Sequence, residues 1–258
     1  MINNLRYLLF ILFVSLSTFE NVKANEPFIF NVTEIEILEN GNQIKGYKGG
    51  TVIIEDGSKI IAENFFYNKL TNILEAIGNV KYIDETRNSI ITTNKAIYFK
   101  NQEKVLTEGN SKAENENNII TAKKLKYDKV KNIFIAEHNA VIEDFQKNSK
   151  IYADEITYLK NEEKVYTSGE TRALIEEKYI FNSENVLYLR EIEELSSQKK
   201  STVIDDNGNI YELANFFYDI KNEILKGKEV NLLAKVDKDK TDKFFFLKVF
   251  LILKIKVI

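Results

Sequence analysis

A unit of about thirty residues recurs along this chain, and no other property of the sequence restricts its fold as tightly. Six tyrosines, Tyr67, Tyr98, Tyr127, Tyr158, Tyr188 and Tyr218, are separated by 31, 29, 31, 30 and 30 residues. Seven positions after each stands an apolar residue, namely Leu74, Val105, Phe134, Val165, Leu195 and Leu225, and nine after each a small one, Ala76, Thr107, Ala136, Thr167, Ser197 and Gly227. Two positions before each tyrosine are Phe65, Ala96, Leu125, Ile156, Val186 and Phe216, and seven before are Ile60, Ile91, Ile120, Ile151, Phe181 and Tyr211. A degenerate seventh copy precedes these, with Phe30, Val32, Ile35 and Ile37 followed by Ile44 and Gly46. Such a chain builds its core by stacking one copy on the next.

Within a copy the inward residues alternate, as in Ile60, Ala62, then Phe65, Tyr67, which is the period of a strand. The extra residue between the two pairs keeps both on one face only if the strand bends there. Polar connections such as Asn68-Lys69-Leu70-Thr71-Asn72 follow the tyrosine, so each copy reads as a bent strand, a turn and a returning strand. Glycine is expected to close the return at Gly78, Gly109 and Gly169, and Asp206-Asn207-Gly208 reads as a hairpin turn. The fold class is therefore all-β: a jelly-roll or V-shaped stack of about 14 antiparallel strands from seven ~30-residue repeats, roughly 67 Å long at 4.8 Å per strand.

Residues 1-24 have the pattern of a cleavable signal peptide: Arg6, an apolar run from Leu8 to Leu16, and Val22-Lys23-Ala24 before the cut. The expected organisation is thus 1-24 leader, 25-234 repeat domain and 235-258 tail. Loss of Arg6, Lys23 and Glu20 moves the formal net charge from -3 to -4, which argues against a nucleic-acid partner. Without cysteine, the exported chain holds together without disulfides and has no thiolate to offer a metal or a substrate. The lone histidine, His138, reads as a turn residue because no second histidine shares a metal with it. No carboxylate pair is singled out by its neighbours, so no catalytic residue, metal or cofactor is assigned.

The wording of the copies resembles a known family. Ile60-Ile-Ala62-Glu-Asn-Phe65-Phe-Tyr67 followed by Leu74-Glu-Ala76-Ile-Gly78-Asn79-Val80 is similar to the signature of the OstA-like lipopolysaccharide-transport family, and Ile120 to Tyr127 and Ile151 to Tyr158 repeat its first half. The family includes the periplasmic bridge protein LptA and the periplasmic N-terminal domain of LptD. The resemblance implies a periplasmic, non-enzymatic jelly roll that shields lipopolysaccharide acyl chains in an apolar groove and joins other OstA-like proteins edge to edge, toward the outer membrane. His138, and Gln198-Lys199-Lys200 in place of Gly-Asn-Val, depart from the pattern.

On that resemblance the lipid-binding set is Ile60, Ala62, Phe65, Tyr67, Leu74, Tyr98, Val105, Ile120, Leu125, Tyr127, Phe134, Ile151, Ile156, Tyr158, Val165, Tyr188, Phe216 and Tyr218. Lipopolysaccharide or a related lipid is the implied ligand. Phe30, Val32, Ile35 and Ile37 form the implied partner edge. Periodicity alone does not separate a lipid groove from a filled core, and both stay open here. The competing architecture is a parallel β-helix, as in a carbohydrate-active enzyme or an adhesin.

The tail matches none of the copies. A charged stretch from Lys235 to Lys243 precedes the apolar run Phe244 to Ile258, which with three lysines in 15 residues is a poor membrane span. An interfacial segment, loss of reading frame and truncation before an outer-membrane barrel all fit it.

Overall fold

The structure, a computed structural model, describes residues 27–237 and 240–252; the expected leader lies outside them. The described residues run up and down as fifteen long arms. β1 (Phe28–Leu38) and β2 (Gln43–Ile54) are continuous, and the third arm breaks at its bend into β3 (Lys59–Ala62) and β4 (Asn64–Asn68). β5 (Ile73–Asp84) and β6 (Ser89–Phe99) follow, then β7 (Lys104–Glu108) with β8 (Ser111–Glu114), and β9 (Asn118–Ala122) with β10 (Lys124–Asp128). Next come β11 (Ile133–Asp144), β12 (Ser149–Leu159) and β13 (Lys164–Ile175), all continuous. Three broken arms follow: β14 (Tyr179–Glu184) with β15 (Leu187–Leu189), β16 (Glu194–Ser197) with β17 (Ser201–Ile204), and β18 (Ile210–Leu213) with β19 (Asn215–Asp219). β20 (Ile224–Asp237) and β21 (Lys240–Ile252) end the stack.

Each arm pairs antiparallel with the arm before it and the arm after it, from β1 on β2 to β20 on β21. This overturns the parallel β-helix alternative, whose coils would pair in parallel. Every arm bends at mid-length, so the meander folds along one corner line into two facing half-sheets. One carries the tyrosines, as in β4, β10 and β19, and the other carries the isoleucine positions, as in β3, β9 and β18.

The corner is where the glycines act. Gly78, Gly109 and Gly169 have φ of +85°, +86° and +77°, and the β5–β6 register shifts between Ile77 and Val80. Gly78 and Gly169 therefore do not end the returning strands, as the sequence suggested, whereas β7 does stop at Glu108, just before Gly109, and its arm resumes as β8. β5 and β13 pass through the corner and run on to Asp84 and Ile175. The returning arm is bent as well, and a left-handed residue is the cheapest way to turn it. His138 takes the same place at φ +66°, at the register shift within β11 rather than in a turn between strands. Asp205 to Gly208 forms the expected turn, with the Asp205 carboxylate accepting from the amides of Asn207 and Asn209 at 3.0 and 2.9 Å.

Register explains the repeat. Each tyrosine stands opposite the apolar residue seven positions on, Tyr67 with Leu74, Tyr127 with Phe134 and Tyr218 with Leu225, and that residue in turn meets the next tyrosine, as Leu74 does Tyr98 and Phe134 does Tyr158. An unbroken row of large side chains thus runs the length of the tyrosine half-sheet. The small residues occupy the next row inward, against the corner. At Gly227 a β-carbon would meet Leu213 Cδ2 at 2.2 Å and the Asn215 carbonyl at 3.0 Å. Thr107 and Thr167 serve a second need there, accepting the amides of Leu125 and Val186 at 2.9 and 2.8 Å where the bend interrupts the ladder.

The segment expected to stand apart as a tail contributes a full arm through β21. Its backbone pairs with β20 from Ile224↔Ile252 to Asp237↔Lys240, which sets the backbone of Leu251 opposite that of Leu225. Strand order rather than repeat wording places it: any alternating segment after a hairpin can extend an open edge. Phe244, Phe245, Phe246 and Leu247 are exposed there.

Candidate functional site: the interior and its mouth

All eighteen residues of the expected lipid-binding set lie between the two half-sheets, none more than 4 % exposed. In this conformation they form one core. Aromatic pairs join the two half-sheets across it. Phe28 meets Tyr67 edge-on at 4.6 Å between ring centroids, Tyr82 meets Tyr127 at 6.4 Å, and Phe181 meets Phe216 and Tyr218 at 5.1 and 4.9 Å. The interior is thus a continuous apolar column closed at the corner by the covalent chain.

At the β1 end the column is uncovered. Among the described residues β1 pairs with β2 alone. Phe30 and Val32 are half-buried against the core, whereas Ile35 and Ile37 are 53 % and 61 % exposed. Ile37 pairs with Ile44 and Ile35 with Gly46, so both stand in rows that continue inward through Tyr67 and Phe65. The four residues assigned to a partner edge are therefore brought together on a free strand, two of them exposed.

Opposite the corner is the mouth, where the turns of the two half-sheets face each other. Each tyrosine hydroxyl points there, and in four copies it donates to the side chain five positions on: Tyr67 to Asn72 at 2.9 Å, Tyr98 to Glu103 at 2.6 Å, Tyr127 to Asn132 at 3.3 Å and Tyr158 to Glu163 at 3.3 Å. All six residues at this offset, including Glu193 and Glu223, have φ between +50° and +58°. The sequence reading missed them. The signal was present as Asn or Glu five places after every tyrosine, but a left-handed glutamate reads as an unremarkable loop residue until its partner is seen. In the last two copies the hydroxyls of Tyr188 and Tyr218 are buried without a hydrogen bond.

Side chains then bridge the mouth from one half-sheet to the other. Lys129, its side chain fully buried, reaches from the turn after β10 to Asp56 after β2 at 2.6 Å, with Glu103 at 3.1 Å and the Tyr98 ring 5.0 Å away. Arg190 after β15 holds Asp144 at the end of β11 at 2.7 Å, both nearly inaccessible, and also donates to the Tyr158 hydroxyl at 2.6 Å. Lys100 meets Glu55 at 3.5 Å, Lys147 meets Glu193 at 2.5 Å, and Lys178 approaches Glu223 at 4.0 Å. Lys160 donates to the Ser89 hydroxyl at 3.2 Å and to the Arg87 carbonyl. Among the described residues no backbone–backbone hydrogen bond crosses the mouth.

The charges answer to this geometry. Burial by itself would raise the Asp56 carboxyl, but the bonds from Lys129 and Ser58 outweigh it and hold it at about 2. Burial lowers the Lys160 ammonium despite the nearby Asp84 and Glu163 carboxylates. The Tyr158 phenol is pushed up to about 12, chiefly by burial. Among the described residues no group of three or more potential metal ligands is assembled, and no helix is long and apolar enough to cross a membrane, which leaves strands crossing as a barrel unaddressed.

A family model described as OstA-like protein matches residues 29–184. Among solved structures the chain is similar to LptH from Pseudomonas aeruginosa, the LptA homologous periplasmic component of the conserved lipopolysaccharide transport device. The identity is 13 %, the TM-score 0.34, and the match covers 62 % of this chain and 96 % of that one. It is also similar to the TCP10 domain of Danio rerio CPAP, solved with a peptide of STIL, at 9 % identity and a TM-score of 0.19 over 83 % of this chain and 98 % of that one. Neither superposition is close enough to argue from. No curated protein matches the chain.

Proposed function

The chain belongs to the OstA-like family, and from that premise we propose that it is a periplasmic carrier of lipopolysaccharide or a related lipid, working by shielding acyl chains and without catalysis. The observation that carries this reading is the apolar column itself, which runs from β1 to β20 and ends uncovered at Ile35 and Ile37. A column that only filled a core would gain stability from a capped end, whereas one that passes lipid along needs an end at which a neighbour's strand continues it. Other OstA-like proteins fit that role through edge-to-edge strand addition at β1, and the exposed edge of β21 suits a second contact toward the outer membrane. The same end serves a free bridge and the periplasmic part of an outer-membrane assembly protein. Export through cleavage after Ala24 belongs to this proposal.

The test places photo-crosslinking side chains at Ile120 and Phe134, which face the interior, and at Lys124 and Glu137, which face outward. Labelling with lipopolysaccharide is expected at the first pair alone, and equal labelling of both pairs would leave a plain structural core. At the edge, Ile35→Pro removes an amide donor and should abolish capture of an OstA-like partner by a still folded protein. Undiminished capture would show that β1 is not the meeting edge.

A further inference from the structure

The two half-sheets are joined in three quite different ways, and the difference has a mechanical consequence. At the corner the chain itself connects them, arm by arm. In the interior they meet through apolar contact, which another apolar body of similar shape can replace. Across the mouth they are held only by side chains, chiefly ion pairs such as Asp56–Lys129, Asp144–Arg190 and Lys147–Glu193. A structure hinged on one side and fastened on the other by polar, exchangeable contacts opens on the fastened side.

The fastening is uneven. Around Lys129 and Arg190 the contacts are 2.6 and 2.7 Å and buried, whereas the last pair, Lys178–Glu223, stands at 4.0 Å with both partners partly exposed. The hydroxyls of Tyr67, Tyr98, Tyr127 and Tyr158 are tied to the mouth turns, and those of Tyr188 and Tyr218 are not. Glu193 and Glu223, which stand where the earlier copies receive the tyrosine hydroxyl, bind Lys147 and Lys178 across the mouth instead. At this end, therefore, the seal and the interior are not coupled through the tyrosines.

We propose that the row of cross-mouth ion pairs is a gate through which a long-chain amphiphile enters the interior sideways, the half-sheets parting about the corner and opening first at the carboxyl-terminal end. This rests on the reading that the interior takes lipid, and it adds the route and its control. Acyl chains replace the aromatic contacts between half-sheets, while the polar headgroup stays at the mouth. A polar recess of about 500 Å³ lined by Arg87, Lys160 and Arg190 lies there.

Since the chain has no cysteine, the gate can be clamped at chosen points. Lys178→Cys with Glu223→Cys, bridged by a short bis-maleimide, fastens the carboxyl-terminal end of the mouth, and Glu55→Cys with Lys100→Cys fastens the other end. Glu143→Cys with Lys150→Cys joins two neighbouring arms within one half-sheet and serves as control. Uptake of lipopolysaccharide carrying a fluorescent acyl chain is followed by stopped flow. The Lys178/Glu223 clamp should slow uptake about tenfold or more, the Glu55/Lys100 clamp less than about twofold, and the control clamp not at all. Lys178→Ala, which leaves every buried contact intact, should speed it by about twofold. Normal uptake through the fastened Lys178/Glu223 mouth would overturn the gate and leave the lipid reading standing. Equal slowing by both mouth clamps would overturn the one-ended opening. No uptake by the unmodified protein would remove the lipid reading and the gate with it.

Discussion

Replacing Lys129 with methionine keeps most of the side-chain volume and removes the ammonium that Asp56 and Glu103 share. The loss is best followed through Asp56. A fall of its carboxyl from 3.8 to about 2 corresponds to roughly 2.5 kcal/mol at full strength. With the Asp56 side chain 34 % exposed, solvent screening leaves about 1 kcal/mol of that. Glu103, also held low against the effect of its burial by Lys100, Tyr98 and Lys129, adds to it. Burying an ammonium has its own cost, which methionine escapes, so a net loss of about 1–2 kcal/mol at pH 7 is expected. The sign with pH follows from the lowered carboxyls: their contribution is complete above about pH 5 and is lost as pH falls toward about 2. Urea denaturation of the parent and Lys129→Met proteins at pH 7, 4 and 2 should therefore show a stability gap that closes on acidification. A gap of the same size at pH 2 would refute the electrostatic account and assign the loss to packing.

Other perturbations read different parts of the fold. Arg190→Met leaves the buried Asp144 carboxylate without its charged partner, held only by the amides of Gln146 and Lys147, and a loss of about 3 kcal/mol in denaturant midpoint analysis is expected. Tyr127→Ala empties the stack between Tyr82 and Phe134 and should cost about 3–5 kcal/mol by the same measurement. Gly227→Val drives side-chain atoms into Leu213 and the Asn215 carbonyl, so a loss of about 1–3 kcal/mol is expected, against less than about 1 kcal/mol for Lys226→Ala one residue away on the outer face.

The sequence by itself determined the unit, its period and its inward face. Tyr67, Leu74 and Ala76 and their counterparts could be assigned to one side because a strand alternates strictly, and a thirty-residue spacing with one extra residue mid-strand admits a bent arm and little else. The match with the OstA-like family was legible for the same reason, since its signature is that alternation written in particular residues. What the tertiary structure decided are the relations between copies. Gly78 marks a corner rather than an end because bending is a property of two paired arms, and the same glycine is compatible with either until the partner is in place. Segment 240–252 joins the stack although it resembles no copy, because an open edge selects for extended backbone and not for wording. Above all, Lys129 and Asp56 are 73 residues apart, as are Lys160 and Arg87, and Arg190 lies 46 residues from Asp144. No local pattern links such pairs; they meet because the half-sheets face each other and the copies stack with a lateral offset that only the folded meander sets.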